Sequence, residues 1–207
     1  MGPAAWTVLE AMAAAGNLLY TVLMLHERRI GWVFGVVASA MGMALFLHQQ
    51  VYAQVALNAF YVVMGIYGWW SWGQGEQGAR AITRWPFTRH AGVLMAGVLL
   101  SLALAQALKL LPDARYTGLD GFATAFSLLA TWMLARKVLE NWAYWVLADA
   151  VAIVLYVLLG LWWYAGLYLV YVVISASALK RWHGQWKAAQ GWPTSGRSPC
   201  SRFNGRS

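Results

Sequence analysis

Long apolar runs alternate along this chain with short segments that hold most of its charged residues. Seven runs stand out, each with no more than one charged side chain and each about long enough to cross a lipid bilayer as a helix. The middle of each run is expected to be helical, because a backbone surrounded by hydrocarbon has to satisfy its own hydrogen bonds. The runs cover residues 4–25, 31–48, 51–71, 91–111, 119–135, 141–159 and 161–179. The pattern therefore predicts an all-α integral membrane protein with seven transmembrane helices.

The overall composition points the same way. Hydrophobic residues make up 61% of the 207 residues, charged residues make up only 11%, and the mean hydropathy is +0.53. A soluble domain of this length needs a more polar surface than this composition can supply. A soluble class is therefore excluded, and the lipid bilayer is the expected surrounding of the chain.

Basic residues are distributed unevenly between the two ends of the predicted helices. If the N-terminus lies outside, 13 of the 15 Lys and Arg residues fall on the inner side, and only Lys109 and Arg115 fall outside. Cytoplasmic segments of membrane proteins carry such an excess of positive charge, so we predict that the N-terminus is outside and the C-terminus is cytoplasmic. Topology then explains the net charge of +8. The basic tail, residues 183–207, is expected to be disordered and cytoplasmic, with no nucleic-acid partner.

The chain contains an internal repeat. Residues 17–72 align with residues 127–182 without a gap at a constant offset of 110, and 13 of the 56 pairs are identical. Each copy holds three predicted helices, and one helix is left between them, so equivalent helices point in the same direction. This organisation is a parallel 3+1+3 repeat of the SWEET type, and repeats of this kind are typical of transporters. The predicted parts are a first repeat (4–72), an inner loop with linker helix 4 (73–112), a second repeat (113–182) and the tail (183–207).

The sixth run carries the most informative polar residue. Trp142, Trp145 and Asp149 are spaced i, i+3 and i+7, which places them on one face of a helix. Asp149 lies about 10 Å along the helix from Trp142, and an ionisable group at that depth costs about 2.5 to 3.5 kcal/mol. No Lys or Arg lies at that depth in another run, so a cationic aromatic ligand is the expected partner. Two alternatives remain: Asp149 hydrogen-bonds a neighbouring helix, or Trp142 belongs to an interfacial belt.

The equivalent face of the second run carries Trp32, Gly35 and Ser39, and is therefore less bulky. We expect an asymmetric site that the second repeat dominates. Asn58 and Tyr168 are equivalent in the third and seventh runs, and both lie near the predicted midplane, where they can hydrogen-bond a polar ligand. For Asn58, a role in bridging two helices is an equally good interpretation.

These segments resemble the PnuC family of bacterial vitamin transporters over roughly residues 9–182. The resemblance is carried by ENWAYWVLAD, by LYVLLGLWW and by QVYAQVALNAFYVVMGIYGWWSW. It includes the WxxWxxx(N/D) motif of that family, here Trp142, Trp145 and Asp149. The resemblance implies a seven-helix 3+1+3 core in the bacterial inner membrane, often trimeric. It also implies facilitated diffusion of nicotinamide riboside, which a cytoplasmic kinase then traps. Asp149 stands where the nicotinamide riboside pattern has asparagine, and Asn58 where glutamine is common.

These two departures leave several ligands open. Nicotinamide riboside and thiamine are aromatic cations that suit an aspartate with two tryptophans, whereas riboflavin is neutral, so we rank them in that order. Phosphorylated nucleotides rank last, because no Lys or Arg is predicted in the cavity.

Other function classes have little support in the sequence. The four histidines have no metal-binding spacing, and no catalytic motif is present, so neither an enzyme nor a cofactor or metal site is expected. A membrane scaffold protein remains the alternative of another class.

Overall fold

The structure is a computed structural model, and it describes residues 3–48, 52–74, 80–111 and 115–191. This part of the chain forms seven helices and no β-sheet. The helices are α1 (Pro3–Leu25), α2 (Gly31–His48), α3 (Tyr52–Trp72), α4 (Phe87–Leu108), α5 (Thr117–Ala135), α6 (Asn141–Leu158) and α7 (Trp162–Ala189). The prediction of an all-α protein is confirmed.

Six of these helices are long and apolar enough to cross a membrane. The helix that does not reach this level of apolarity is α3, which has 21 residues but carries Gln54, Asn58 and Tyr61. Its crossing of the membrane therefore stays a prediction.

The helices pack as two three-helix units. In the first unit α1 packs on α2 and α2 on α3, and in the second unit α5 packs on α6 and α6 on α7. Two seams join the units, one between α1 and α7 and the other between α3 and α5. At the offset of 110, α1 corresponds to α5 and α7 corresponds to α3, so the two seams are equivalent. The linker helix α4 packs on α5.

The turns between α1 and α2 and between α5 and α6 have the same local structure. Glu27 has φ 54° and its counterpart Lys137 has φ 51°. The amide of Arg28 donates to the Leu23 carbonyl at 2.9 Å, and the equivalent amide of Val138 donates to the Met133 carbonyl at 3.0 Å. The repeat seen in the sequence is therefore also present in the backbone of these turns.

Glu27 and Lys137 also contact each other. The Lys137 Nζ lies 2.8 Å from Glu27 Oε2, and the two side chains are only 6% and 20% exposed, respectively. The same ammonium lies 4.6 Å from the centre of the Trp72 ring. Two equivalent residues of opposite charge thus meet where the two units come together.

Two helix ends differ from the sequence prediction by four residues or more, and the other ends agree within three. Helix α4 begins at Phe87, directly after Pro86, and not at residue 91. The sequence prediction omits this first turn because it carries Arg89 and His90 and is not apolar. Helix α7 continues to Ala189 instead of ending at 179, so residues 183–189 are helical where a disordered tail was predicted. The aromatic ring of Trp186 in this extension packs under the Arg84 guanidinium at 5.0 Å. Residues 192–207 lie outside the described part of the chain.

We expect the Glu27–Lys137 ion pair to contribute strongly to stability. Glu27→Gln leaves the ammonium of Lys137 buried without a charged partner, and removing one partner of a buried pair costs about 3 to 5 kcal/mol. The measurement is thermal unfolding of the purified protein in detergent. The exchange Glu27→Lys with Lys137→Glu should restore most of the loss, because both positions have the same backbone conformation.

The exposed pair between Arg84 and Glu140 is the control, since the Arg84 side chain is 48% exposed. Arg84→Gln should cost no more than about 1 kcal/mol. Equal effects of Glu27→Gln and Arg84→Gln would contradict a special role for the buried pair.

Candidate functional site

A cavity of about 220 Å³ lies between the two units. Ten residues of the first unit and nine of the second line it, on α1, α2, α3, α5, α6 and α7. All five residues that the sequence singled out are among them, namely Asn58, Trp142, Trp145, Asp149 and Tyr168. The structure therefore brings the predicted residues together around one space, and their role in binding a ligand stays a prediction.

Helices α2 and α6 line the cavity with three equivalent pairs. These are Trp32 with Trp142, Gly35 with Trp145 and Ser39 with Asp149. Only the tryptophan pair is the same in both units. The second unit adds an indole and a carboxylate where the first has a glycine and a hydroxyl, as the sequence indicated.

Helices α3 and α7 contribute three further pairs, which are Asn58 with Tyr168, Tyr61 with Tyr171 and Gly65 with Ser175. The Asn58 amide Nδ2 donates to the Gln54 carbonyl of its own helix at 2.8 Å. A Cβ at Gly42 of α2 would lie 2.6 Å from Asn58 Oδ1, so this glycine makes room for the amide. The hydrogen bond of Asn58 therefore lies within α3 instead of bridging two helices.

Helices α1 and α5 supply lining residues that the sequence analysis missed. The pairs are Asn17 with Ser127, Thr21 with Thr131 and Met24 with Leu134. Their spacing of i, i+4 and i+7 on each helix, together with the identity of Thr21 and Thr131, could have indicated this face. Tyr20 also lines the cavity, whereas its counterpart Ala130 does not.

Four tryptophans pack together next to the cavity. The rings of Trp32 and Trp72 are 5.6 Å apart at 90°, and those of the equivalent Trp142 and Trp182 are 5.5 Å apart at 84°. Trp72 Nε1 donates to the Leu134 carbonyl at 3.1 Å, and Trp182 Nε1 donates to the Leu25 carbonyl at 3.3 Å. Each unit thus reaches across to the backbone of the other, which ties the two together beside the cavity.

Of these four tryptophans, the two that line the cavity, Trp32 and Trp142, have no such hydrogen bond. The indole nitrogens of Trp32 and Trp142 are buried and find no acceptor among the described residues. Most buried polar groups in proteins are hydrogen-bonded, so an unpaired buried donor calls for an explanation. Both nitrogens are fully enclosed by packed side chains, so a ligand in the cavity reaches them only if the rings move.

The cavity lining carries one acidic side chain and no basic one. Asp149 is 3% exposed and makes no ion pair with any described residue. No Lys, Arg or His is among the residues that line the cavity. Tyr61, Tyr168 and Tyr171 lie within electrostatic reach of the Asp149 carboxylate. The site therefore combines one acid with aromatic rings and hydroxyls.

The described residues contain no group of three or more His, Cys, Asp or Glu side chains that could hold a metal ion. A single carboxyl group among aromatic rings and hydroxyls is a lining of the kind found in pockets for small organic molecules.

The chain matches a family of known proteins. The family model described as nicotinamide mononucleotide transporter matches residues 7–184. The chain belongs to this transporter family. The resemblance to PnuC proteins that the sequence indicated is confirmed.

Two curated relatives are both named nicotinamide riboside transporter PnuC, one from Escherichia coli (strain K12) and one from Shigella flexneri. Each is 24% identical to this chain over 205 residues, with 84% of this chain and 84% of the relative covered. A solved structure, described as the crystal structure of the vitamin B3 transporter PnuC, matches with a TM-score of 0.69 at 21% identity. It covers 88% of this chain and 83% of the other. The relatives are transporters and not enzymes, and at this identity the structural match shows the fold alone.

The packing of Trp32 gives a testable prediction. A Cβ at Gly68 would collide with three atoms of the Trp32 indole, and Trp72 and Tyr20 pack against the same ring. Gly68→Ala should therefore lower stability, because overpacking costs about 1 to 3 kcal/mol and exceeds the gain in helix propensity.

The control is Gly166→Ala in α7, where a Cβ would meet nothing within 4 Å. Thermal unfolding should show a lower midpoint for Gly68→Ala and an unchanged or higher midpoint for Gly166→Ala. A stabilised Gly68→Ala protein would show that the indole of Trp32 is not held in this position.

Proposed function

We propose that this protein carries nicotinamide riboside across the bacterial inner membrane by facilitated diffusion, with a cytoplasmic kinase trapping the product. The observation that supports this most strongly is Asp149, a nearly buried carboxylate on an aromatic cavity that has no basic lining residue. The two relatives named nicotinamide riboside transporter favour the same substrate. We propose Trp142, Trp145, Asp149, Asn58 and Tyr168 as substrate-binding residues.

The chemistry of the ligand matches the chemistry of the cavity. Nicotinamide riboside has a positively charged aromatic ring, a carboxamide and ribose hydroxyls. The carboxylate of Asp149 offers a counter-charge, and Trp142 and Trp145 offer faces for cation–π contact.

A phosphorylated substrate fits this cavity poorly, although the family is described by the mononucleotide. A phosphate placed beside Asp149 would bring like charges together in a space without Lys or Arg. The cavity lining therefore favours the riboside over the mononucleotide.

Thiamine is the second candidate, because it is also an aromatic cation. Riboflavin is third, since a neutral ring system gains nothing from the Asp149 charge. A membrane scaffold without a ligand is disfavoured by an internal cavity that carries an acid and several hydroxyls.

We propose the parallel 3+1+3 repeat as the architecture that holds this site, with α3 as the seventh span. Support comes from the paired seams α1 with α7 and α3 with α5, from the matching turns, and from the lining residues that recur at the offset of 110. The repeats would then comprise residues 4–72 and 113–182, with α4 as the linker. The likeness to PnuC proteins also favours a homotrimer.

The Asp149 side chain gives the sharpest test of substrate class. Asp149→Asn should weaken binding of nicotinamide riboside and thiamine by about 1 to 3 kcal/mol, because a charge-assisted contact becomes a neutral one. Riboflavin binding, if measurable, should not change. Calorimetry on the purified protein with the three vitamins makes the comparison, and ligand-free thermal unfolding confirms that the variant folds. Unchanged affinity for both cations would make Asp149 a hydrogen-bonding residue only.

We also propose that the N-terminus faces the outside and the C-terminus the cytoplasm, from the charge count. An alkaline phosphatase fused after Leu111, in the segment between α4 and α5, should be active, because that enzyme works only outside the cytoplasm. A phosphatase fused after Gly191 should be inactive, while a fluorescent protein at the same place should fluoresce. The reverse pattern would refute this orientation.

A further inference from the structure

The cavity lining follows the repeat with one exception. Nine lining residues of the first unit have a counterpart at the offset of 110 that also lines the cavity. Tyr20 is the tenth, and its counterpart Ala130 is fully buried and does not line the cavity. Repeat symmetry therefore does not account for Tyr20, and its position needs another explanation.

The neighbour of Tyr20 provides that explanation. A Cβ at Gly35 would lie 2.9 Å from Cδ2 and 3.1 Å from Cε2 of the Tyr20 ring, so this ring lies directly on Gly35. The counterpart of Gly35 is Trp145, which lines the cavity in the second unit. The first unit thus combines tyrosine on α1 with glycine on α2, and the second combines alanine on α5 with tryptophan on α6.

Each unit thus has one aromatic ring at this pair of positions, Tyr20 in the first unit and Trp145 in the second. In the second unit Trp145 extends from α6 and packs against the cluster that contains Ala130. In the first unit α2 has no side chain there, and Tyr20 extends from α1 over the vacant position. The repeat proposed above would place the two rings at corresponding positions on the two halves of the cavity.

We propose that Tyr20 is a substrate-binding residue that offers an aromatic face to the planar ring of the ligand, as the first-unit counterpart of Trp145. The proposal rests on the function proposed above, because it concerns the same cavity. Its chemistry is that of a flat cationic ring held by aromatic faces from both units, which favours aromatic cations over non-aromatic ones. The aromatic face carries the interaction, and the hydroxyl is not needed.

The face of α1 supports this role against simple packing. Asn17, Thr21 and Met24 lie on the same face as Tyr20, and all of them line the cavity. Tyr20 also contacts Trp32, with ring centres 5.7 Å apart at 58°, so it borders the tryptophan that has an unpaired indole nitrogen. Its ring is therefore part of the cavity wall and not only part of the core.

The test compares three variants with the full-length protein in detergent. Tyr20→Leu keeps apolar bulk and removes the aromatic face, so nicotinamide riboside should bind about tenfold more weakly. Tyr20→Phe keeps the face and should bind within about twofold of the unchanged protein. Tyr67→Leu is the matched control, because Tyr67, like Tyr20, packs against the buried cluster that contains the four tryptophans, but it does not line the cavity. Its affinity should not change.

Calorimetry gives the affinities, and thermal unfolding without ligand separates binding from packing. The proposal requires Tyr20→Leu to lose affinity while its ligand-free midpoint falls no further than that of Tyr67→Leu. Two further variants test the exchange of the ring: Tyr20→Ala with Gly35→Trp moves the ring to α2 as in the second unit, and should bind more tightly than Tyr20→Ala alone.

Three results would overturn the proposal. If Tyr20→Leu binds as tightly as the unchanged protein, Tyr20 is a packing residue, and the proposed transport function stands. If Tyr20→Phe loses as much affinity as Tyr20→Leu, the hydroxyl is the binding group. If the unchanged protein binds none of the three vitamins, the proposed function fails and this inference fails with it.

Discussion

The ion pair between Glu27 and Lys137 is the contact on which the arrangement of the two units depends. A buried ammonium is unfavourable without a partner, and the partner here is the residue at the equivalent position of the other unit. The pair can form only if both turns reach the interface in the same conformation, as their matching φ angles allow. Trp72 lies against the Lys137 ammonium, and Trp32 lies against Trp72 and borders the cavity. The ion pair is thus connected to the wall of the cavity through the rings of Trp72 and Trp32.

A symmetric backbone with asymmetric side chains explains how one cavity can serve a small asymmetric ligand. Equivalent helices place equivalent positions around the cavity, so the backbone determines where side chains can act. Divergence between the units then sets the chemistry, for example a hydroxyl at Ser39 and a carboxylate at Asp149. Transport requires the two halves to move relative to each other, and a site built on their interface is sensitive to that movement.

The sequence was most informative where burial in lipid imposes a strict rule. The bounds of α2 and the offset of 110 could be read from apolar runs and register alone. Asp149 could be recognised because a charge inside an apolar run is costly.

The first turn of α4 and the end of α7 were missed, because charged residues at a membrane interface end an apolar run without ending a helix. Neutral Asn17 and Ser127 were missed because small polar residues in a span fit packing as well as binding. Tyr20 could not be predicted from its pair with Ala130, since the role proposed for it follows from a contact with Gly35.

Glu27 and Asp149, the two acids of the central region, differ in whether a basic side chain lies against them. Glu27 neutralises Lys137, which would otherwise place an unpaired positive charge behind the aromatic wall and repel a cation in the cavity. Asp149 is left without a protein counter-charge, so the empty carrier bears the cost of a nearly buried carboxylate. On the function proposed above, a cationic ligand would remove that cost when it binds, and a neutral or anionic ligand would not. Selection by charge would then follow from where the protein places its positive charges as much as from the carboxylate itself.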